Sequence, residues 1–193
     1  MRREFAKRLH EYMSAHPNVF LITADLGYGV LNDIRNDYPD RAINVGSSEM
    51  LMVGTAVGLA QNGYIPICYS ITPFLLFRPF ELLRTYVNNE KVNVKLVGSG
   101  RDDDYSHDGF SHWAGDDIKV ISTLENIKTY KPDKLTDALF SEFMENNTPL
   151  QFKDSVNGIL TEDVIPNPVT IYSKSKQAAE LYILSKEIPE NKR

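Results

Sequence analysis

The sequence contains a single cysteine, Cys68, which excludes an internal disulfide framework and a zinc site built on several thiolates. It also has no apolar segment of signal-peptide type at its start and no run of about 18 apolar residues, the length a membrane-spanning helix needs. Cations are not in excess: 21 Lys and Arg against 26 Asp and Glu leave a net charge of −5. That balance lacks the basic stripe expected of a general nucleic-acid or membrane surface. The reading is a soluble cytoplasmic protein that holds any small anionic ligand through local groups.

With 193 residues, 42% of them hydrophobic and 24% charged, the chain has the composition of one globular domain with a sizeable core. The stretch "RREFAKRLHEYMSAH" spaces Phe5, Leu9 and Tyr12 or Met13 as a helix does, and "PNVFLITADLG" follows as a short strand ending at Asp25 and Gly27. A short helix in "GVLNDIRNDYP" and a short strand in "RAINVG" lead into "SSEMLMVGTAVGLAQNG", a helix with a serine cap and an Asn-Gly stop. Next come "YIPICYSI" as strand, "PFLLFRPFELLRTYVNN" as helix and "VNVKLVGSG" as strand, then a polar loop from Arg101 to Asp116. A short helix near 117–123, a weak strand near Ile127, a helix over 134–145 and the strand "PLQFK" complete the set. Strands alternating with helices predict an α/β fold, a doubly wound, mainly parallel sheet with helices on both faces. Ligands of such sheets bind beyond the carboxyl ends of the strands, where Asp25, Glu49, the 70–77 stretch and the 100–112 loop would gather. The domain is expected over 1–153. Residues 154–193 are expected to form a tail with an amphipathic segment that packs on the domain or on a partner.

Glu49 poses a specific question. It opens an otherwise apolar helix, where a buried carboxylate needs a partner. The partial positive charge of a helix N-terminus favours an acid there, by about 1 kcal/mol at most. A ligand is the other explanation.

The order of motifs answers it. "TADLG", "YPDRAINVGSSEMLMVGTAVGLAQNGYIPICYSI", "FLLFRPFELLR", "VNVKLVGSG", "DGFSHWAGDDIKVISTLENI" and "KPDK" resemble, in order and spacing, the pyrimidine-binding domain of transketolases and related thiamine diphosphate enzymes. The resemblance covers 1–153. It implies that Glu49 hydrogen-bonds the ring nitrogen of the cofactor's aminopyrimidine, favouring the tautomer that deprotonates the thiazolium carbon. Phe74 and Phe77 lie where the family stacks the pyrimidine, and core packing is the alternative for each. One departure is Ser70-Ile71, where many relatives have threonine-phenylalanine.

In "HDGFSHW" the resemblance makes His112 the group that stabilises or protonates the donor-derived intermediate, and Asp108 the partner of a sugar hydroxyl. His107 stands beside the motif as a substrate or plain loop residue. A metal site on His107, Asp108 and His112 is the competing reading, but the loop lacks a further ligand pattern, and no metal is expected on this chain. Asp25 and Leu26 match the family's aspartate-leucine near the thiazolium ring. Arg2 or Arg3 and Lys153 fall near phosphate-binding cations. The family's histidine eight residues before the aspartate lands on Gly100, so that substrate contact is missing.

The family's separate diphosphate motif, which begins glycine-aspartate-glycine and holds Mg2+, is not found in this sequence. The expectation is one subunit of a split transketolase-like enzyme that moves a two-carbon ketol unit between sugars or sugar phosphates. A partner chain would bring the diphosphate domain and hold Mg2+, in an assembly of two copies of each chain. Two alternatives remain: a relative that uses 2-oxo acids, or a non-catalytic regulatory subunit that kept the fold.

Overall fold

The computed structural model describes residues 1–145 and 149–152. Lys153 and the expected tail lie outside them. Five strands, β1 (Val19–Thr23), β2 (Ala42–Asn44), β3 (Ile65–Ile71), β4 (Lys95–Ser99) and β5 (Pro149–Phe152), form one sheet in the order β2-β1-β3-β4-β5. Every pairing is parallel. The order reverses direction between β1 and β3, the topological switch point at which such sheets open a crevice.

Alternation along the strands explains why both faces are covered. Leu21, Ile67, Tyr69 and Val97 point into one core with Phe5 and Leu9 of α1 (Arg2–Ala15) and with Phe140 and Phe143 of α7 (Asp137–Glu145). Their sequence neighbours Ile22, Cys68 and Leu96 point into the other. That second core takes Met52 and Val53 of α3 (Glu49–Gln61), Leu75 of α4 (Thr72–Phe77) and Ile121 of α6 (Asp117–Ile121). Period-two side chains in near-continuous apolar strands are what a parallel sheet buried on both faces requires. The short α2 (Asn32–Asp37) adds Ile34 to the first core.

Several local expectations are corrected. The helix expected over 73–89 is interrupted: α4 stops before Arg78–Pro79, then α5 (Phe80–Leu82) continues as a π-helical stretch, Leu83–Asn89. Pro79 has no N–H to continue the α4 ladder, and its ring crowds the preceding turn. The weak strand near Ile127 is not formed. Asn126 N–H bonds instead to Asn88 Oδ1 at 2.9 Å, and β4 already has β3 and β5 as neighbours. Ser48 holds the N-cap position of α3, with φ of −139° and ψ of 84°, but makes no side-chain cap bond. The last helix begins at Asp137 rather than 134, where Thr136 Oγ1 accepts from Leu139 N–H at 3.2 Å.

Candidate functional site

β3 and α3 deliver the first part of the site. Glu49 is the first residue of α3, and only 3% of it is exposed. Its Oε1 accepts from Ser70 Oγ, at the end of β3, at 3.1 Å. Its Oε2 accepts from Arg78 Nη1 at 2.7 Å. A buried carboxylate is thus satisfied by one neutral and one charged donor, the arrangement that makes such burial tolerable.

The β3–α4 junction supplies the second part. Pro73 stands in the first turn of α4, where its missing N–H costs nothing. The buried Thr72 hydroxyl donates to the carbonyls of Ser99 and Gly100, pinning the start of α4 to the end of β4. Phe74 and Arg78 are four residues apart and share a face. The Arg78 guanidinium carbon lies 3.6 Å from the Phe74 ring centroid. The same ring meets His112 in a T-shaped pair, with centroids 4.8 Å apart and planes at 65°. Phe74 therefore joins the Glu49 end of the site to the 100–112 loop.

Two 3-10 turns, Ser106–Asp108 and Phe110–His112, shape that loop around Gly109. Gly109 has φ of +92°, a conformation that favours glycine and lets the chain reverse between the turns. Asp108 is half exposed, with His107 Nε2 3.5 Å from its Oδ2. Ser111 Oγ lies 3.0 Å from His112 Nδ1. The loop base is closed by a bridge between Asp102 and Ala114. It is tied down further by Lys131 Nζ, which donates to Asp102 at 3.1 Å and to the fully buried Asp117 at 3.0 Å.

Phe77 faces a neighbouring cavity of about 290 Å³ that it lines with Pro73, Phe110 and Trp113. Asp25 and Leu26 sit just past β1 in a cluster of their own. Asp25 is left-handed, φ +53°, and its carboxylate accepts from Tyr28 at 2.6 Å and from Asn44 at 3.3 Å. Burial and the Asp25 carboxylate both push the Tyr28 phenol above its usual pKa. The Leu26 carbonyl accepts from Arg35 at 2.6 Å, and burial lowers the pKa of that guanidinium. Arg2 and Arg3 open α1, which runs antiparallel to β1 and so starts at the carboxyl end of the sheet. Arg3 lines a cavity of about 410 Å³ between α1 and α2 that does not include Glu49.

Among the described residues, Glu49 contacts Arg78, Arg78 lies over Phe74 and Phe74 meets His112, while Asp25, Phe77 and Arg3 border other parts of the same edge. Sequence reasoning missed Arg78, Thr72, Asp117 and Lys131. The signal for Arg78 was present, as a cation four residues after an aromatic in a helical run. Among the described residues there is no group of three or more His, Cys, Asp and Glu able to hold a metal ion, and no helix long and apolar enough to cross a membrane.

Residues 1–144 match the family described as transketolase, pyrimidine binding domain. A putative transketolase C-terminal section of Methanocaldococcus jannaschii is 30% identical over 133 residues, 68% of this chain and 42% of the relative. One of the subunits of an apulose-4-phosphate transketolase from Actinobacillus succinogenes is 35% identical over 96 residues, 50% of this chain and 31% of that relative. The chain thus spans less than half the length of these curated relatives. A solved structure described as a split gene transketolase, inactive beta4 tetramer, superposes with a TM-score of 0.67 and 26% identity, covering 86% of this chain and 56% of the other.

Proposed function

The chain belongs to the transketolase pyrimidine-binding domain family, and from that premise we propose that it is one subunit of a split thiamine diphosphate-dependent transketolase. The enzyme transfers a two-carbon ketol unit between sugars or sugar phosphates. The observation that carries this reading is the buried Glu49 carboxylate, paired at 2.7 Å with a flat N–H donor that stacks on Phe74. A slot already occupied by a planar, hydrogen-bonding group fits a planar heterocycle with N–H donors.

Each residue of this chain has a role in that reading. Glu49 orients the pyrimidine and holds a proton at its ring nitrogen. Phe74 offers the stacking face, with little side-chain entropy to lose. Phe77, Asp25 and Leu26 border the ring-binding region, and the left-handed backbone of Asp25 is the kind of local strain that clusters at functional sites. His112, fixed against Phe74, donates to or accepts from the oxygen that gains charge as the ketol bond is made or broken. Asp108 accepts from a neighbouring sugar hydroxyl, and the exposed His107 bears on the same substrate. Arg2, Arg3 and Lys153 are candidates for the substrate's anionic end. When bound, the cofactor supplies the carbanion chemistry that side chains lack.

A separate chain holds the diphosphate and its Mg2+, and so completes the site. Among the relatives, the naming of one as a C-terminal section and of another as one subunit of a transketolase supports this division. So do the exposed apolar side chains next to two parts of the site: Met50 and Leu51, which follow Glu49 in α3, are 47% and 54% exposed, and Phe110 of the 100–112 loop is 81% exposed. Exposed apolar side chains of that size suit a covering protein. The exposed face of α3, with Gly54 and Gly58 one turn apart, suits a second copy of this chain in a two-plus-two assembly.

Mixing the chain with the separately expressed diphosphate-domain subunit, then assaying ketol transfer with thiamine diphosphate, Mg2+ and a panel of ketose donors, tests the proposal. Turnover only in the mixture is the expected result. Absence of turnover with every donor, in a complex verified to form and to bind the cofactor, would reject it.

A further inference from the structure

We infer that Arg78 is a built-in competitor for the pyrimidine slot, an affinity-determining residue that must swing out before the cofactor ring can enter. This inference rests on the reading that Glu49 and Phe74 hold the pyrimidine. The guanidinium is flat, carries N–H donors and is delocalised, and it uses all three properties here. It donates to Glu49 Oε2 at 2.7 Å and lies over the Phe74 ring at 3.6 Å. Those are the two contacts the proposed ligand needs, made by one side chain of the protein itself.

The need for such an occupant follows from burial. Glu49 is 3% exposed, and without Arg78 its remaining described partner is the neutral Ser70 hydroxyl. Leaving one oxygen of a buried carboxylate unpaired is unfavourable. Arg78 removes that problem before ligand arrives, and it can leave because its side chain is 46% exposed. In both end states the carboxylate is paired: Ser70 keeps Oε1 while Oε2 has exchanged one planar donor for another. The consequence is a binding penalty set by occupancy. If the guanidinium fills the slot nine-tenths of the time, apparent affinity falls about tenfold.

Arginine at this position is also separable from a plain supporting role. A side chain that only fixed Glu49 would, on removal, loosen the carboxylate and weaken ligand binding. A competitor would, on removal, strengthen it.

The test uses the full chain and a defined probe, 4-amino-2,5-dimethylpyrimidine, titrated by NMR against wild type, Arg78→Ala, Arg78→Met and Phe74→Ala, each checked for a native melting transition. The inference predicts that both Arg78 variants bind the probe at least fivefold more tightly than wild type. It also predicts that methylguanidinium competes with the probe in Arg78→Ala, and that Phe74→Ala binds more weakly than wild type. Equal or weaker binding by both Arg78 variants, with binding still lost in Phe74→Ala, would overturn the competitor role and leave the slot standing. Probe binding unaffected by Phe74→Ala, or absent from every variant, would overturn the slot itself and this inference with it.

Discussion

The imidazole of His112 packs on the Phe74 ring in a T-shaped pair with centroids 4.8 Å apart. This contact links helix α4 to the 100–112 loop and makes one residue responsible for both ends of the site. Phe74→Ala is therefore expected to do two things at once, removing the stacking face and freeing the His112 loop. Because Phe74 is only part-buried, the loss of stability should be about 1–2 kcal/mol, below the range for a fully buried aromatic. Histidine proton spectra and urea melts check this, and an unchanged His112 resonance would contradict the coupling.

Glu49→Gln keeps the shape of the side chain and its bond to Ser70 but removes the charge opposite Arg78. Turnover of the reconstituted pair should fall by about 10²–10⁴, the usual worth of a positioned proton-transfer group. Stability should fall by only about 1 kcal/mol, because Arg78 is half exposed and solvent screens the pair. Steady-state kinetics beside a denaturant midpoint separates the two effects.

Gly98 is a packing position. A Cβ there would run into the Thr72 hydroxyl and lie 3.3 Å from the Thr72 backbone. Thr72 is fixed by its bonds to the Ser99 and Gly100 carbonyls and cannot yield. Gly98→Ala should cost about 2–3 kcal/mol by overpacking, seen as a lower denaturant midpoint with an unchanged slope.

Lys95 is fully buried in β4, and burial lowers its ammonium pKa from 10.5 to about 8. Between those values the unfolded chain binds more protons than the folded one, so this group's contribution to stability rises with pH across that window. Below pH 8 both states are protonated and the penalty is constant. Lys95→Met should lose this rise. Relative to wild type it should be most favoured at pH 7, and the difference should shrink by about 3 kcal/mol by pH 10.5, at 1.36 kcal/mol per unit. Denaturant melts across this range provide the check, and parallel profiles for the two proteins would refute it.

Much of the fold was legible because the strands bury both faces. "VFLIT", "PICYSI" and "VKLVGS" read as strands from continuous apolar content, and Phe5, Leu9 and Met13 marked the buried face of α1. The interruption at Arg78–Pro79 was not read, since periodicity carried across the proline while the backbone could not. The absent strand near Ile127 failed for a tertiary reason, as its neighbour Asn126 is bonded to Asn88 instead of to a strand. Glu49 stood out because a charge in an apolar run is conspicuous. Its partner Arg78 did not, because a cation beside Pro79 reads as an ordinary surface residue until the helix turn brings it over Phe74.

Calorimetric titration of thiamine diphosphate with Mg2+ into this chain alone, and then into its mixture with the diphosphate-domain subunit, tests the central claim most directly. The account predicts tight binding only in the mixture, and its loss when Phe74→Ala replaces the wild-type chain. Cofactor binding by the mixture that is indifferent to Phe74→Ala, or no binding in a complex proven to form, would contradict it.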